Sequence, residues 1–133
     1  MKLTATHHIA IITPNFEAME TFYTQALGLP VTRRWDDVGI IFIDVGSTTI
    51  ELIGREAAAG QAPPHPRGEG VGINHIALHV ASCDVAFAEL NEHGVEILSE
   101  PSDFRGEVRF AFFSDPDGNV LELFEELNAE RTS

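Results

Sequence analysis

The stretch Asn74-His75-Ile76-Ala77-Leu78-His79-Val80 decides the reading of this chain. It alternates as a strand does, with His75, Ala77 and His79 on one face and Ile76, Leu78 and Val80 on the other. An earlier stretch repeats it, since His8-Ile9-Ala10-Ile11 matches His75-Ile76-Ala77-Leu78 almost letter for letter. A second pair follows the same logic. Thr49-Ile50-Glu51-Leu52-Ile53 matches Val120-Leu121-Glu122-Leu123-Phe124, and each glutamate sits between large apolar neighbours. His8 and Glu51 are 43 positions apart, His75 and Glu122 are 47 apart. Two copies of roughly 65 residues, each giving one histidine and one glutamate from strands, sketch a four-ligand metal site.

Working outward, each half reads β-α-β-β-β. Residues 6–12 alternate as a strand, and Thr13-Pro14-Asn15 breaks it. Phe16, Met19, Phe22, Tyr23 and Ala26 then recur at helical spacing, with Thr13 or Asn15 as cap and Gly28 as stop. Strands are expected at 31–36, 39–45 and 48–53, the last carrying Glu51. The second half expects a strand at 73–80 and a helix capped by Ser82 or Asp84 and ended by Gly94. A strand near 95–99, a loop from Pro101 to Gly106, and strands at 107–113 and 119–125 follow. Asp115-Pro116-Asp117-Gly118 forms the turn before Glu122. The expected fold is α+β, two tandem βαβββ modules forming a curved mixed sheet that encloses a cleft. Module one spans 5–54 and module two 73–126. Between them lies a linker, 55–72, with Pro63-Pro64-His65-Pro66 barring a regular helix. The tail, 127–133, is polar.

The 133 residues suit one domain or two small fused modules. Each module alone would bury too little surface, so the two share a core or pair with another chain. The net charge is −13, because Lys2 and seven arginines face 21 acids. That balance argues against nucleic acid and against an anionic membrane surface. No apolar run reaches spanning length, and Cys83 is the single cysteine, which points to a cytoplasmic protein.

Imidazole nitrogen with carboxylate oxygen suits a divalent first-row ion such as Ni, Zn, Co, Mn or Fe. Two histidines and two glutamates neutralise it and leave open positions for water or substrate. Such an ion polarises a carbonyl and stabilises an enolate as a proton leaves the adjacent carbon, and a glutamate at its edge can take that proton. Any one of these residues alone is more often a hydrogen-bonded core histidine or a solvent-side glutamate. The repeat is what favours the metal.

The chain resembles the vicinal oxygen chelate superfamily of glyoxalases, bleomycin-resistance proteins and extradiol dioxygenases. The resemblance rests on His8-Ile9-Ala10-Ile11, Phe22-Tyr23 with Leu27-Gly28, Ile50-Glu51-Leu52, His75-Ile76-Ala77-Leu78, Asp115-Pro116-Asp117-Gly118-Asn119 and Leu121-Glu122-Leu123. It implies metal ligands at His8, Glu51, His75 and Glu122, a small-molecule substrate and a homodimer, the site lying within one chain or across two. Phe110-Ala111-Phe112 and the Asp-Pro-Asp-Gly turn resemble glyoxalase I. Bacterial glyoxalases, however, carry an arginine for the glutathione carboxylate where this chain has Ile12. Arg67-Gly68-Glu69-Gly70 and an apolar position 12 resemble methylmalonyl-CoA epimerase. The function implied is a metal-dependent lyase or isomerase with Glu122 as base and Glu51 as second base. The alternatives are an acyl-CoA epimerase, a dioxygenase, a thiol transferase, or a module that only binds small molecules. For substrate contacts, His79, Arg109 and Arg33 are the candidates. Arg109 alternates in register with Ala111 and Phe113, and surface pairing with acids is its competing role.

Overall fold

A computed structural model describes residues 1–61, 63 and 70–127. Most of the Pro63–Pro66 stretch, His65, Arg67 to Glu69 and the tail from 128 lie outside the described residues. The chain packs as two compact units, Met1–Gln61 and Ala62–Ser133.

In the first unit β1 (His8–Thr13) leads into α1 (Phe16–Thr21), then β2 (Val31–Trp35), β3 (Ile40–Asp44) and β4 (Thr49–Gly54). The sheet order is β1-β4-β3-β2, with β1 parallel to β4 and the other pairs antiparallel. Alternation gives the sheet two unlike faces. Ile41, Ile43, Ile50 and Leu52 are fully buried on one face, with Thr13 and the helical Met19 and Tyr23 equally shut from solvent. The other face carries His8, Ala10 and Ile12 on β1, Glu51 on β4, Phe42 on β3, and Arg33 and Trp35 on β2. The strands end on Gly54, where an added Cβ would lie 2.8 Å from Cδ2 of Phe16, so α1 needs glycine there.

Two details of this unit differ from the sequence expectation. The expected single helix changes pitch, continuing after α1 as a π-helix over Phe22–Ala26. The amide of Leu27 reaches the carbonyl of Phe22, and this wider turn lets the consecutive Phe22 and Tyr23 both enter the core, edge to face at 4.9 Å. Asn15 takes the N-cap position without a side-chain cap bond. Its own N–H donates to Oγ1 of Thr13 at 2.9 Å, so the threonine closes the turn.

The second unit runs β5 (Ile76–His79), α2 (Cys83–Glu92), β6 (Glu96–Ile97), β7 (Ser102–Phe104), β8 (Val108–Ser114) and β9 (Val120–Glu126). Its order is β5-β9-β8-β6, with β5 parallel to β9 and β7 also on β8. Both units are therefore mixed sheets of the same plan. The expected Pro101–Gly106 loop is corrected: β7 lies inside it, pairing Asp103 opposite Arg109. β6 and β7 both pair with β8, as one edge strand broken at residues 98–101, where Pro101 cannot donate a ladder bond.

Helix α2 starts as its sequence says, since Oγ of Ser82 accepts the N–H of Val85 at 3.2 Å. Removing that acceptor leaves the amide without its cap. Ser82→Ala is expected to lower unfolding free energy by about 0.5–2 kcal/mol, read from urea melts, while Ser82→Asp is expected to keep it.

Candidate metal centre

Parallel pairing builds both histidine–glutamate pairs. Ala10 stands opposite Glu51 and Ala77 opposite Glu122; the histidine two residues upstream of each alanine, His8 inside β1 and His75 just before β5, reaches that carboxylate. The small alanine leaves each carboxylate open to the ring. Nε2 of His8 lies 3.4 Å from Oε1 of Glu51, and Nε2 of His75 lies 3.0 Å from Oε1 of Glu122. Both carboxylates are secluded, with side chains 13% and 10% exposed.

Each histidine uses its other nitrogen on its predecessor. Nδ1 of His8 meets Nδ1 of His7 at 2.8 Å, and Nδ1 of His75 meets Oδ1 of Asn74. His7 is exposed and braces the His8 ring. Anchoring Nδ1 leaves Nε2 facing the carboxylate, the usual way a ligating ring is oriented. Two donors each about 2.1 Å from one ion lie about 3.0–3.4 Å apart at octahedral to tetrahedral angles. The observed separations are of that size, so each pair fits a shared dication. Among the described residues neither unit gathers three or more His, Cys, Asp or Glu side chains as a metal group.

An aromatic ring completes each pair. Phe42 stands opposite Glu51 and Phe112 opposite Glu122. Their rings meet His8 and His75 edge to face at 5.6 and 5.2 Å. The role of Phe42 is not readable before the strand register is known. Position 42 does carry the signal, because it lies in an apolar strand feeding the Glu51 hairpin, as Phe112 feeds the Glu122 hairpin.

The remaining candidates divide between faces. Arg33 shares the Glu51 face, its guanidinium 5.6 Å from the Trp35 ring and 5.7 Å from the Phe42 ring. His79 is exposed and alternates onto the Glu122 face. Arg109 does not join them. It lies on the opposite face, opposite Glu125, donating to Asp103 at 2.8 Å and Asp84 at 3.0 Å. Asp103 first and Asp84 second hold its guanidinium more firmly charged than usual.

The fold matches known proteins. Residues 5–123 match the model of the Glyoxalase/Bleomycin resistance protein/Dioxygenase superfamily. The chain belongs to this superfamily. The crystal structure of SMU.1112c superposes with a TM-score of 0.74 at 32% identity, covering 93% of this chain and all of that one. The mitochondrial methylmalonyl-CoA epimerase of Bos taurus is 29% identical over 88% of this chain and 71% of its own length. The lactoylglutathione lyase of Escherichia coli O157:H7 is likewise 29% identical, over 83% of this chain and 84% of its own.

Cys83 stands apart from these pairs. It opens α2, is fully buried, and its backbone N–H donates to Oε1 of Glu125 at 2.8 Å. Burial, then the charge of Asp84, pushes its thiol above the ordinary range. The folded thiol thus keeps its proton at a pH where the unfolded one has lost it. Its contribution to stability is present below the ordinary thiol pKa and is lost as pH rises through the folded value. Alkylation by iodoacetamide at neutral pH is expected to be slow in the native protein and rapid in denaturant; equal rates would contradict this placement.

Proposed function

We propose that this superfamily member is a divalent-metal-dependent lyase or isomerase that moves a proton at a carbon beside a carbonyl, in the manner of a lactoylglutathione lyase. His8, Glu51, His75 and Glu122 are the proposed ligands. The observation that carries the reading is the matched histidine–glutamate pairs, the same residue types at the same offset from the paired alanines of two sheets. A bound dication supplies Lewis acidity, drawing charge onto the carbonyl oxygen so that the neighbouring C–H becomes acidic. Glu122, only 10% exposed beside His75, receives the proton through a carboxylate oxygen. Glu51 occupies the equivalent position on the other sheet and provides the second carboxylate. Glu122 thus takes the proton off, and a proton is returned to carbon by Glu122 itself or by Glu51 after Glu51 has taken one up from solvent. Phe42 and Phe112 wall each pair with apolar surface, which keeps water from competing for the carboxylates. We place the protein in the cytoplasm as a homodimer.

One observation favours a second reading, the epimerisation of an acyl-CoA thioester. Ile12 shares the Glu51 face and is 60% exposed, so an apolar side chain stands where a charge-pairing one would serve glutathione. Both readings share the proton transfer. The test follows it by proton NMR in deuterated water with nickel- or zinc-loaded protein. Methylglyoxal with glutathione is one substrate and methylmalonyl-CoA the other. Enzyme-dependent conversion of the first supports lyase chemistry, and deuterium entering the second supports epimerisation. Neither, from metal-loaded protein, contradicts the proposal.

A further inference from the structure

Basic side chains are scarce in this acidic chain, and its described arginines are mostly committed. Arg34 donates to Glu20 and Asp36, Arg109 to Asp103 and Asp84. Arg55 donates to the carbonyls of Val38 and Gly54. Arg33 and Arg105 have no carboxylate partner among the described residues. Arg105 lies over the Phe104 ring in the second unit, whereas Arg33 lies over Trp35 and Phe42 on the Glu51 face. Phe42 in turn abuts His8, which abuts Glu51. One sheet face therefore runs from a proposed metal pair to an exposed cation through aromatic contacts.

A cavity of about 470 Å³ in the first unit is lined by Arg33, Phe42, His7, Thr48, Thr49 and Asp44, among others. Arg33 is the one permanent cation among its lining residues. The other polar groups are largely occupied. Thr48 and Thr49 give their hydroxyl protons to the carbonyls of Thr6 and His7, and Asp44 accepts the N–H of Gly46. A guanidinium laid over aromatic rings keeps its N–H edges outward and pre-organised for a planar or tetrahedral oxyanion.

We infer that Arg33, seated on Trp35 and Phe42 beside the His8–Glu51 pair, is the binding site for an anionic group of the substrate, a carboxylate or a phosphate. This rests on the proton-transfer reading above. Strand register fixes the span. Arg33 stands opposite Phe42 and Phe42 opposite Glu51, two strand spacings or roughly 10 Å between backbones. The anion is thus carried on a handle, away from the reacting carbon, and Arg33 supplies the charge that Ile12 lacks.

Trp35 is the only tryptophan, so its fluorescence reports this site. Metal-loaded wild-type and Arg33→Gln proteins are titrated with glutathione and with coenzyme A, and affinity is confirmed by calorimetry. The N-acetyl diethyl ester of glutathione and pantetheine are the neutral controls. The expected result is saturable binding of at least one anionic probe, about tenfold weaker in Arg33→Gln and partly restored in Arg33→Lys. Glutathione as the tighter probe names a carboxylate, coenzyme A a phosphate. Equal affinity in wild type and Arg33→Gln overturns the inference, as does equal affinity for the neutral controls, or no saturable binding of either probe. The readout needs no turnover. Glu122→Gln is expected to bind the probe as wild type does, so failure of the reaction and failure of the subsite are separable.

Discussion

Glu122→Gln is expected to retain most of its metal and to lose about 10²–10⁴-fold in kcat, with KM little changed. The amide keeps an oxygen that can face the ion but cannot accept the substrate's proton. The side chain is only 10% exposed on β9, and the two are nearly isosteric, so the fold is expected to survive. Steady-state kinetics on protein of measured metal content checks this, with a thermal melt as control. Unchanged kcat would remove Glu122 from the mechanism. Loss of metal together with activity would mean that its role is ligation. The same substitution at Glu51 separates the two carboxylates. If they divide the two transfers, each single variant is impaired and neither is wild type.

The largest expected effect on stability lies directly behind that site. Phe113 is fully buried on β8, opposite Leu121 on β9 and Ile97 on β6. Its neighbour Phe112 points to the other face and meets His75. Phe113→Ala would leave a cavity that the strands cannot close without shifting β9. The expected loss is about 3–5 kcal/mol, a large part of the 5–15 kcal/mol typical of a whole protein. Urea unfolding measures it, and a loss below about 1 kcal/mol would mean that the core closes around the gap. Since β9 carries Glu122, folded Phe113→Ala protein is also expected to bind metal more weakly.

The two histidine–glutamate pairs are legible in the sequence because they depend on local alternation and repetition. A parallel pairing of β1 with β4 and of β5 with β9 brings a histidine to a glutamate wherever the hydrophobic pattern fixes the register. Ser82 was legible for the same local reason, as a cap before an apolar helix. Other features needed tertiary information. The π-helix over Phe22–Ala26 exists because two adjacent aromatics must both reach the core, which helical spacing alone does not reveal. The sequence predicts a loop over β7 because Ser102-Asp103-Phe104 has little strand character; its cross-strand Asp103–Arg109 pair supplies what propensity does not. Arg109 shows how alternation misleads without a core. Its register with Ala111 and Phe113 was plain, but only their burial shows that this is the face away from Glu122.

The most direct test of the central claim is a calorimetric titration of metal-free protein with nickel and zinc, comparing wild type with His8→Ala and His75→Ala. If the two histidine–glutamate pairs act as one ligand set, wild type binds tightly at one class of site. Either single variant then loses that binding, because each removes a ligand from the same ion. If the pairs do not cooperate, His8→Ala keeps a full-strength site at His75 and Glu122, or binding is unchanged in both. That result would contradict the metal-centred account of this chain.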